Sequence, residues 1–522
     1  MNLLTDPLIP VTTAEGLGFV SLPELLAGLG DDTVYRIEGL QRHQEDAFHV
    51  FLCYLAGAIL ARDGNWNPVR DANFWRDGMR ALAGETGDDA WSLVVDDLTR
   101  PGFMQPPQEA PCAQFSSWSG MTCCPDALDS TELAKNHDVK ASRASNAKPF
   151  EWLYALVSAN FNAGYSKGGR DGFYFPSIKA QKNRIGRVYV YPSFSDNFST
   201  TWKFITGHLQ KWAQERIAEG VFRKEGQVLT WLKAWDQHPL TATELDPFFI
   251  ETNRMIRLTL ETGERISAYY RPTRNAPLAA QAKLQGKLPD PFVPIDTETS
   301  QAISSGKARW PVDRLRAIVF QDGVRTALLD EAFRAPEGKR GLYIVCASLA
   351  RSRTGTEGYI VTRLRVAPRT IRIFQNRTQR DALGQLATRA LDASGRMRRQ
   401  VLFPALSQLL QASGARETRE LRKSEEAWVR SWTQRYDFMW SDRYFEWLLS
   451  ITSPFDAQSE LLGWIGHLRN HAVRLLEEAE QDLPRHTGRL WHARVAAGRA
   501  FHGALNNNFP DLKEARHEAS VG

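Results

Sequence analysis

Aromatic side chains recur every four residues in one stretch near the carboxyl end of this 522-residue chain. Residues four apart share one face of an α-helix, so this helix carries a continuous apolar stripe that neighbouring elements must cover. At this spacing we expect a packed core rather than a surface on which nucleic-acid bases stack. The stripe consists of Trp428, Trp432, Tyr436, Trp440, Tyr444 and Leu448.

Three further helical patterns accompany this one, over residues 382–410, 461–476 and 490–505. Four such helices predict an up-down four-helix bundle. Before about residue 380, helical and strand-like patterns alternate with irregular segments. We therefore predict an α+β fold with a mixed domain over residues 1–380, a four-helix bundle over 381–512 and a flexible tail over 513–522.

Within the mixed domain, periodicity predicts several individual elements. Helices are expected over residues 44–62, 71–82, 85–98, 150–161 and 199–219, and strands over 188–191 and 248–260. The second strand would carry Arg254 and Arg257. Two apolar segments, 341–350 and 359–366, predict a β-hairpin with a basic tip.

Composition limits the class of protein. The formal charge of +5 is mild, so a basic groove on a mixed surface is expected rather than a wholly basic coat. The five cysteines are odd in number and irregularly spaced, which is typical of a reducing compartment. At the amino terminus no basic segment precedes an apolar one, so a signal peptide is not expected. The apolar run 47–61 is too short to span a bilayer. We predict a cytoplasmic protein without a membrane segment.

Glycines and cations alternate over residues 162–187. Glycine lets the backbone approach a partner closely, and bare N–H groups in turns bind anions. Lysine and arginine add salt-dependent attraction to a phosphate backbone. The segment therefore favours nucleic-acid contact, although a solvated surface loop is the alternative. The residues are Gly164, Gly168, Gly169, Gly172 and Gly186, with Lys167, Arg170, Lys179, Lys182, Arg184 and Arg187.

Enzyme and metal motifs are weak. Gly164, Ser166 and Gly168 match the G-x-S-x-G elbow of serine hydrolases, but that elbow requires a preceding strand and a following helix. No Walker sequence, dinucleotide fingerprint or catalytic triad is present. Zinc ligation is disfavoured, because two of the cysteines are adjacent and the usual C-x-x-C pair is absent. The candidate ligands are Cys112, Cys123, Cys124 and His137. A second polar group, comprising His43, Glu45, Asp46 and His49, is better interpreted as a helix start.

Several short segments, in their order along the chain, resemble the large subunit (CasA family) of the type I-E CRISPR surveillance complex, Cascade. The resemblance covers nearly the whole chain, and its weight lies in the order of motifs that are individually weak. They are NLLTDPLIPV at 2–11, FMQ at 103–105, KNHDVK at 135–140, the glycine-rich segment, and TEGY at 356–359, all ahead of a helical region.

The resemblance implies a subunit that is not a nuclease and needs no cofactor or metal. Its partners would be other Cascade subunits, the CRISPR RNA, double-stranded target DNA and a helicase-nuclease recruited in trans. In that family the large subunit sits by the 5′ handle of the RNA. It reads the protospacer-adjacent motif, helps to open the duplex for R-loop formation and provides a landing surface for the nuclease.

The resemblance also assigns residues. Motif recognition would fall to Gly164, Ser166, Lys167, Gly168, Gly169 and Arg170, with Arg254 or Arg257 in place of a family lysine. The loop near the RNA handle would contain Lys135, Asn136, His137, Asp138 and Lys140. The wedge that enters the duplex would be Ser352, Arg353, Thr354 and Gly355. Two family features are not matched: the wedge commonly carries a glutamine where Arg353 stands, and one member's cysteine-rich zinc site is missing.

Two functions of other classes remain as alternatives. The first is a serine hydrolase that uses Ser166. The second is a nucleic-acid-binding protein that acts alone, outside any ribonucleoprotein complex.

Overall fold

The structure is a computed structural model. It describes residues 1–109, 114, 118, 120–128, 147–162, 177–179, 185–195, 197–235, 239–261, 265–271, 278–279, 281–284, 286–306, 309–351, 356–413, 421, 423–483 and 489–512. Contacts divide the chain into two compact units, Met1–Arg365 and Val366–Gly522. The mixture of helices and small sheets confirms the predicted α+β class.

In the residues that the structure describes, the first unit contains helices and five small sheets. Its helices are α1 (Leu22–Gly30), α2 (Arg42–Asp63), α3 (Ala72–Ala83), α4 (Pro149–Phe161), α5 (Phe198–Gly207), α6 (Leu209–Ala218), α7 (Gln281–Leu284), α8 (Val312–Phe320) and α9 (Leu329–Arg334). Short 3-10 helices cover Gly84–Trp91, Pro125–Ala127, Ala242–Glu244 and Glu337–Arg340.

The strands are β1 (Ile9–Thr13), β2 (Gly16–Val20), β3 (Val34–Ile37), β4 (Gly120–Thr122), β5 (Gly186–Pro192), β6 (Gln227–Leu229), β7 (Leu245–Ile250), β8 (Met255–Glu261), β9 (Arg265–Arg271), β10 (Ile295–Asp296), β11 (Val324–Arg325), β12 (Leu342–Arg351) and β13 (Thr356–Val366). Three sheets have three strands, in the orders β2-β1-β3, β4-β9-β8 and β13-β12-β5. Two sheets are pairs, β6-β7 and β10-β11. The adjacency of β12 and β13 confirms the predicted hairpin.

Helix α2 forms the centre of the first unit, because it is apolar on nearly all faces and packs against α4, α5 and β7. Its first turn is capped by Gln44, whose Oε1 accepts the backbone N–H of Gln41 at 3.0 Å. It ends at Gly64, which adopts the left-handed conformation with φ 81°. The helix predicted over residues 44–62 is confirmed.

Three predicted elements differ from the structure. The helix expected over 85–98 is instead a short 3-10 helix, because Gly84 and Gly87 have positive φ and interrupt regular α-helix. The helix expected over 199–219 is divided at His208 into α5 and α6.

The third difference is the strand expected over 248–260. It is two strands in separate sheets, β7 and β8, with residues 251–254 between them. The buried side chains of that connection bind polar groups of other elements. Glu251 accepts two hydrogen bonds, and the Asn253 N–H donates to the Asn160 side chain at 2.9 Å.

The second unit is helical throughout the part that the structure describes. It contains α10 (Pro368–Gln375), α11 (Arg377–Arg396), a π-helical segment (Met397–Leu402), α12 (Phe403–Ser413), α13 (Lys423–Ser450), α14 (Ala457–Gln481) and α15 (Leu490–Asn508). The helices predicted from the periodic pattern fall on these elements. The unit begins at Val366, ahead of the predicted boundary at residue 380, because α10 belongs to it.

The aromatic stripe of α13 packs as a core on most of its length. Trp432, Tyr436 and Tyr444 are buried, whereas Trp428 and Trp440 are half-buried. The Tyr444 hydroxyl donates to the Ala387 carbonyl of α11 at 2.7 Å. In the described helices of both units, no span is long and apolar enough to cross a membrane.

Candidate nucleic-acid interface

The glycine-rich segment leaves α4 and returns to β5. Most of its predicted contact residues, Gly164 to Arg170, lie outside the described residues. Its two ends, Asn162 and Arg187, and residues 177–179 between them are described, and buried polar contacts fix all three places. The structure therefore defines where the segment begins and ends.

The first end is held by Arg187, which is buried near the start of β5. Its guanidinium donates to the Asp46 carboxylate of α2 at 2.6 Å and to the Asn162 side-chain oxygen at 2.9 Å. It also donates to the Phe161 carbonyl at the end of α4. The Asn162 amide in turn donates to the His43 carbonyl at 3.0 Å. Arg187 is thus used inside the protein and not as a surface cation.

The described residues inside the segment, 177–179, are held by Glu251, which is buried after β7. Its carboxylate accepts the Ser177 hydroxyl at 2.6 Å and the Ile178 N–H at 2.8 Å. Burial raises the pKa of Glu251, and these two hydrogen bonds oppose the rise. The carboxylate thus fixes one side chain and one backbone group of the returning segment.

Lys179, one of the cations of the glycine-rich segment, is also buried. Its ammonium lies 2.8 Å from the Asp290 carboxylate and 3.9 Å from the centre of the Tyr54 ring. The Tyr54 hydroxyl donates to the same carboxylate. Burial and the neighbouring Asp290 carboxylate raise the pKa of Tyr54, so the phenol keeps its proton.

Gly186 begins β5 at a point of close backbone approach. A Cβ atom at this position would lie 2.4 Å from the Ile303 carbonyl oxygen and 2.9 Å from the Ser304 Cα. Since both contacts are with backbone atoms, a side chain cannot be accommodated without a shift of the chain. Glycine is therefore required here for packing.

Strand β5 pairs antiparallel with β12, the first strand of the hairpin, in the sheet β13-β12-β5. Gly186 pairs with Ser348 and Pro192 pairs with Leu342. Ser348 lies three residues before the end of β12 at Arg351, which corresponds to roughly 10 Å of strand. The glycine-rich segment therefore enters the sheet at the end that carries the hairpin tip, although the two are distant in sequence.

The wedge residues themselves, Ser352, Arg353, Thr354 and Gly355, lie outside the described residues. The strands on either side of them are described, and they end at Arg351 and begin again at Thr356. Further along β13, Arg363 is exposed and lies over the Tyr343 ring, with 3.7 Å from its Cζ to the ring centre. Arg365 is also exposed.

Arg254 and Arg257 are buried, contrary to what DNA recognition requires. The Arg257 guanidinium donates to the carbonyls of Val95, Asp97, Arg100 and Gln105, at 2.9 to 3.3 Å. Burial lowers its pKa to about 10, which leaves it charged at neutral pH. Arg257 thus holds the irregular segment after residue 91. Neither arginine is included in the DNA-recognition surface that we propose.

The FMQ segment has a structural role. Met104 has a positive φ of 55°, and the Gln105 side chain is buried. The Gln105 amide donates to the Leu93 carbonyl at 2.8 Å, and its side-chain oxygen accepts the Leu258 N–H of β8 at 2.7 Å. The segment joins the irregular part of the chain after residue 91 to the β4-β9-β8 sheet.

The loop assigned to the RNA handle, Lys135, Asn136, His137, Asp138 and Lys140, lies outside the described residues. Of the candidate zinc ligands, Cys112 and His137 also lie outside them. Among the residues that the structure describes, no three His, Cys, Asp or Glu side chains are grouped to hold a metal ion. His49 is buried in α2 and packs edge-on against Phe198, with 5.1 Å between ring centres.

The hydrolase elbow has no matching context in the described residues. Ser166 lies outside them, but the described element before it is helix α4 and the next one after it is strand β5. A nucleophile elbow needs the reverse order, with a strand before the serine and a helix after it.

The anchors Asp46, Asn162, Glu251 and Asp290 were not identified from sequence. Two signals were present: Asp46 directly precedes the apolar run 47–61, and Arg187 precedes an apolar strand. Charged residues in apolar elements are rarely buried unless they are paired. Which residues pair could not be read from sequence, because Asp46 and Arg187 are far apart along the chain.

Comparison with known proteins finds likeness in structure only. No family model and no curated protein matches the sequence. The fold is similar to the CRISPR-associated protein Cse1 from Acidimicrobium ferrooxidans, with TM-score 0.61 and 15% identity over 98% of this chain and 99% of that chain. Thermobifida fusca Cse1 gives TM-score 0.60 and 14% identity over 98% of each chain.

CasA from Thermus thermophilus gives TM-score 0.59 and 13% identity, and covers 97% of this chain and 99% of that one. The likeness extends over both units in each case. It agrees with the resemblance that the order of sequence segments indicates. This chain has the fold of the CasA/Cse1 proteins.

Proposed function

We propose that this chain is the large subunit of a Cascade-like, RNA-guided surveillance complex. In this role it recognises the protospacer-adjacent motif of target DNA, helps to open the duplex and provides a landing surface for a helicase-nuclease. It is not itself a nuclease. The observation that carries the proposal is the likeness to CasA/Cse1 structures over nearly the whole chain.

The geometry around the glycine-rich segment supports the DNA-recognition part. The segment is held by two buried polar anchors: Arg187 joins its two ends, and Glu251 holds residues 177–178. Such anchors reduce the conformational freedom that binding would otherwise cost. A backbone held in this way can approach the minor groove closely, where the donor and acceptor pattern of base pairs is degenerate. Coarse discrimination between motifs is the expected result.

The hairpin supports the duplex-opening part. Strand β12 ends at Arg351 and β13 begins at Thr356, at the end of the sheet where the glycine-rich segment enters through Gly186. A motif bound by that segment would therefore be close to the tip. Opening a base-pair step costs about 1.4 kcal/mol of stacking, and the RNA–DNA hybrid that forms is about as stable as the duplex it replaces. A wedge with a few phosphate contacts is sufficient to favour the exchange.

A single variant tests recognition. Gly168→Asp adds bulk and negative charge where a phosphate or groove edge is expected, so affinity for motif-bearing duplex should fall by more than about tenfold. Asn65→Asp is the control, since it adds one negative charge at an exposed position. The measurement is a gel shift with the complex assembled from this chain, its partner subunits and CRISPR RNA.

Assembly is measured first, by co-purification from cells that express the chain with the genes beside it. A stoichiometric complex that contains RNA is expected for both variants. Failure of the unmodified chain to form one would favour a nucleic-acid-binding protein that acts alone. Assembly with unchanged DNA affinity in Gly168→Asp would remove the glycine-rich segment from the recognition site.

A further inference from the structure

Two histidines on successive turns of α14 face each other in the second unit. His467 and His471 are four residues apart, and their ring centres are separated by 4.2 Å. Residues at this spacing lie on one side of a helix. Both side chains are half-buried, so part of each ring is exposed to solvent.

Each imidazole has one buried nitrogen without a hydrogen-bond partner. These atoms are Nε2 of His467 and Nδ1 of His471. A buried polar nitrogen that forms no hydrogen bond costs free energy, so its retention calls for an explanation such as a bound ion. Here two such nitrogens belong to neighbouring rings.

The His467 ring is held in place by aromatic neighbours. It stacks on the Trp464 ring at 5.7 Å, and Trp464 stacks on Trp447 of α13 at 4.7 Å. The Trp464 indole N–H donates to the Ser394 hydroxyl at 3.2 Å, which fixes the stack to α11. An imidazole oriented by packing loses little freedom when it binds a ligand.

Two nearby arginines have opposite effects on cation binding by this pair: they favour the neutral imidazoles that bind metal, and they repel the cation itself. Burial and the positive charges of Arg443 and Arg474 lower the pKa of His467. Burial, the neighbouring His467 and the same two arginines lower the pKa of His471 to about 4. Both rings are therefore neutral at pH 7, which is the form that binds metal ions. The two positive charges also repel a cation, but both arginines are exposed and their effect is screened by salt.

We propose that His467 and His471 form a two-imidazole site for a divalent transition-metal ion of the zinc or nickel class, with water in the remaining positions. Imidazole suits these ions, and two histidines four apart on a helix are a known chelating arrangement. With two protein ligands the site is open and can exchange its ion. This assignment is independent of the function proposed above.

The experiment uses the untagged full-length chain and NiCl2 as the probe. Calorimetry should detect one site whose affinity falls by more than about tenfold in His467→Gln and in His471→Gln. His502→Gln is the control, since His502 is exposed on α15. X-ray absorption of the nickel complex should show two imidazole ligands. Nickel should also raise the unfolding temperature of the unmodified chain and of His502→Gln only.

Several results would overturn the proposal. Equal nickel affinity in the unmodified chain and both variants would place the ion elsewhere. Heat released by inorganic phosphate but not by nickel, and lost in both variants, would identify an anion site instead. Circular dichroism without metal checks that the variants fold, and a variant that does not fold is replaced by His→Asn at the same position.

Discussion

Arg187 and Asp46 form an ion pair with 2.6 Å between guanidinium and carboxylate, and both side chains are almost completely buried. The pair joins β5 to α2 and, through Asn162, to the end of α4. The two ends of the glycine-rich segment, Asn162 and Arg187, are therefore joined at one charged contact in the core.

Arg187→Met is expected to destabilise the first unit by about 3–5 kcal/mol, because Asp46 is left buried without its partner. The combined change Arg187→Met with Asp46→Leu should cost less than Arg187→Met alone, since no unpaired charge remains. Urea unfolding followed by tryptophan fluorescence measures both. Arg80→Met, at an exposed pair with Asp88, should have little effect. A double variant less stable than Arg187→Met would contradict this explanation.

We expect the buried His49 side chain to make the stability of the first unit depend on pH. Burial lowers its pKa from 6.5 to about 3, so between these values only the unfolded chain holds the additional proton. The stability that neutral His49 contributes is complete above pH 6.5 and is lost as the pH falls towards 3. The loss is about 1.4 kcal/mol per pH unit within that window.

The unfolding temperature of the first unit should therefore fall less steeply between about pH 6.5 and 4 in His49→Gln than in the unmodified chain. Other acid-sensitive groups are common to both proteins and cancel in the comparison. His502→Gln, at an exposed position in the second unit, should leave the slope for the first unit unchanged. Equal slopes for His49→Gln and the unmodified chain would show that His49 titrates normally.

Arg257→Lys separates a structural role from DNA recognition. A lysine ammonium cannot reproduce the planar guanidinium that serves four carbonyls, so a loss of at least about 2 kcal/mol of stability is expected. Target-DNA affinity of the folded, assembled complex should stay within about twofold. Arg265→Lys, on the exposed face of β9, is the matched control. A large loss of DNA affinity without a change in unfolding temperature would restore Arg257 to the recognition site.

The helices were predictable from sequence because their signal is local. Apolar residues at helical spacing identify α2, α4, α13 and α14, whose cores are formed largely by those same residues. The strand expected over 248–260 was wrong, because four successive polar residues, 251–254, interrupt the apolar pattern where the chain passes from one sheet to another.

The site was less predictable, because its geometry depends on long-range pairing. Nothing near Gly186 indicates that Ser348 will be its neighbour, and strand register is set by contacts across the sheet. Sequence also shows that Arg257 and Lys179 are cations but not that they are buried. Burial depends on acceptors such as the Gln105 carbonyl and Asp290, which come from distant parts of the chain.

The hairpin tip provides the sharpest test of duplex opening. Arg353→Ala with Thr354→Ala removes the side chains that would enter the duplex and hold a separated strand, so RNA–DNA hybrid formation on intact duplex should slow. On a target whose first protospacer pairs are already mismatched, the defect should be much smaller, because about 1.4 kcal/mol per stacking step no longer has to be supplied. Permanganate footprinting of the displaced strand follows both reactions. The control, Arg365→Ala with Thr362→Ala, removes the same residue types nearer the base of β13 and should leave both rates unchanged. An equal defect on the two substrates would mean that the tip contributes binding but does not open DNA.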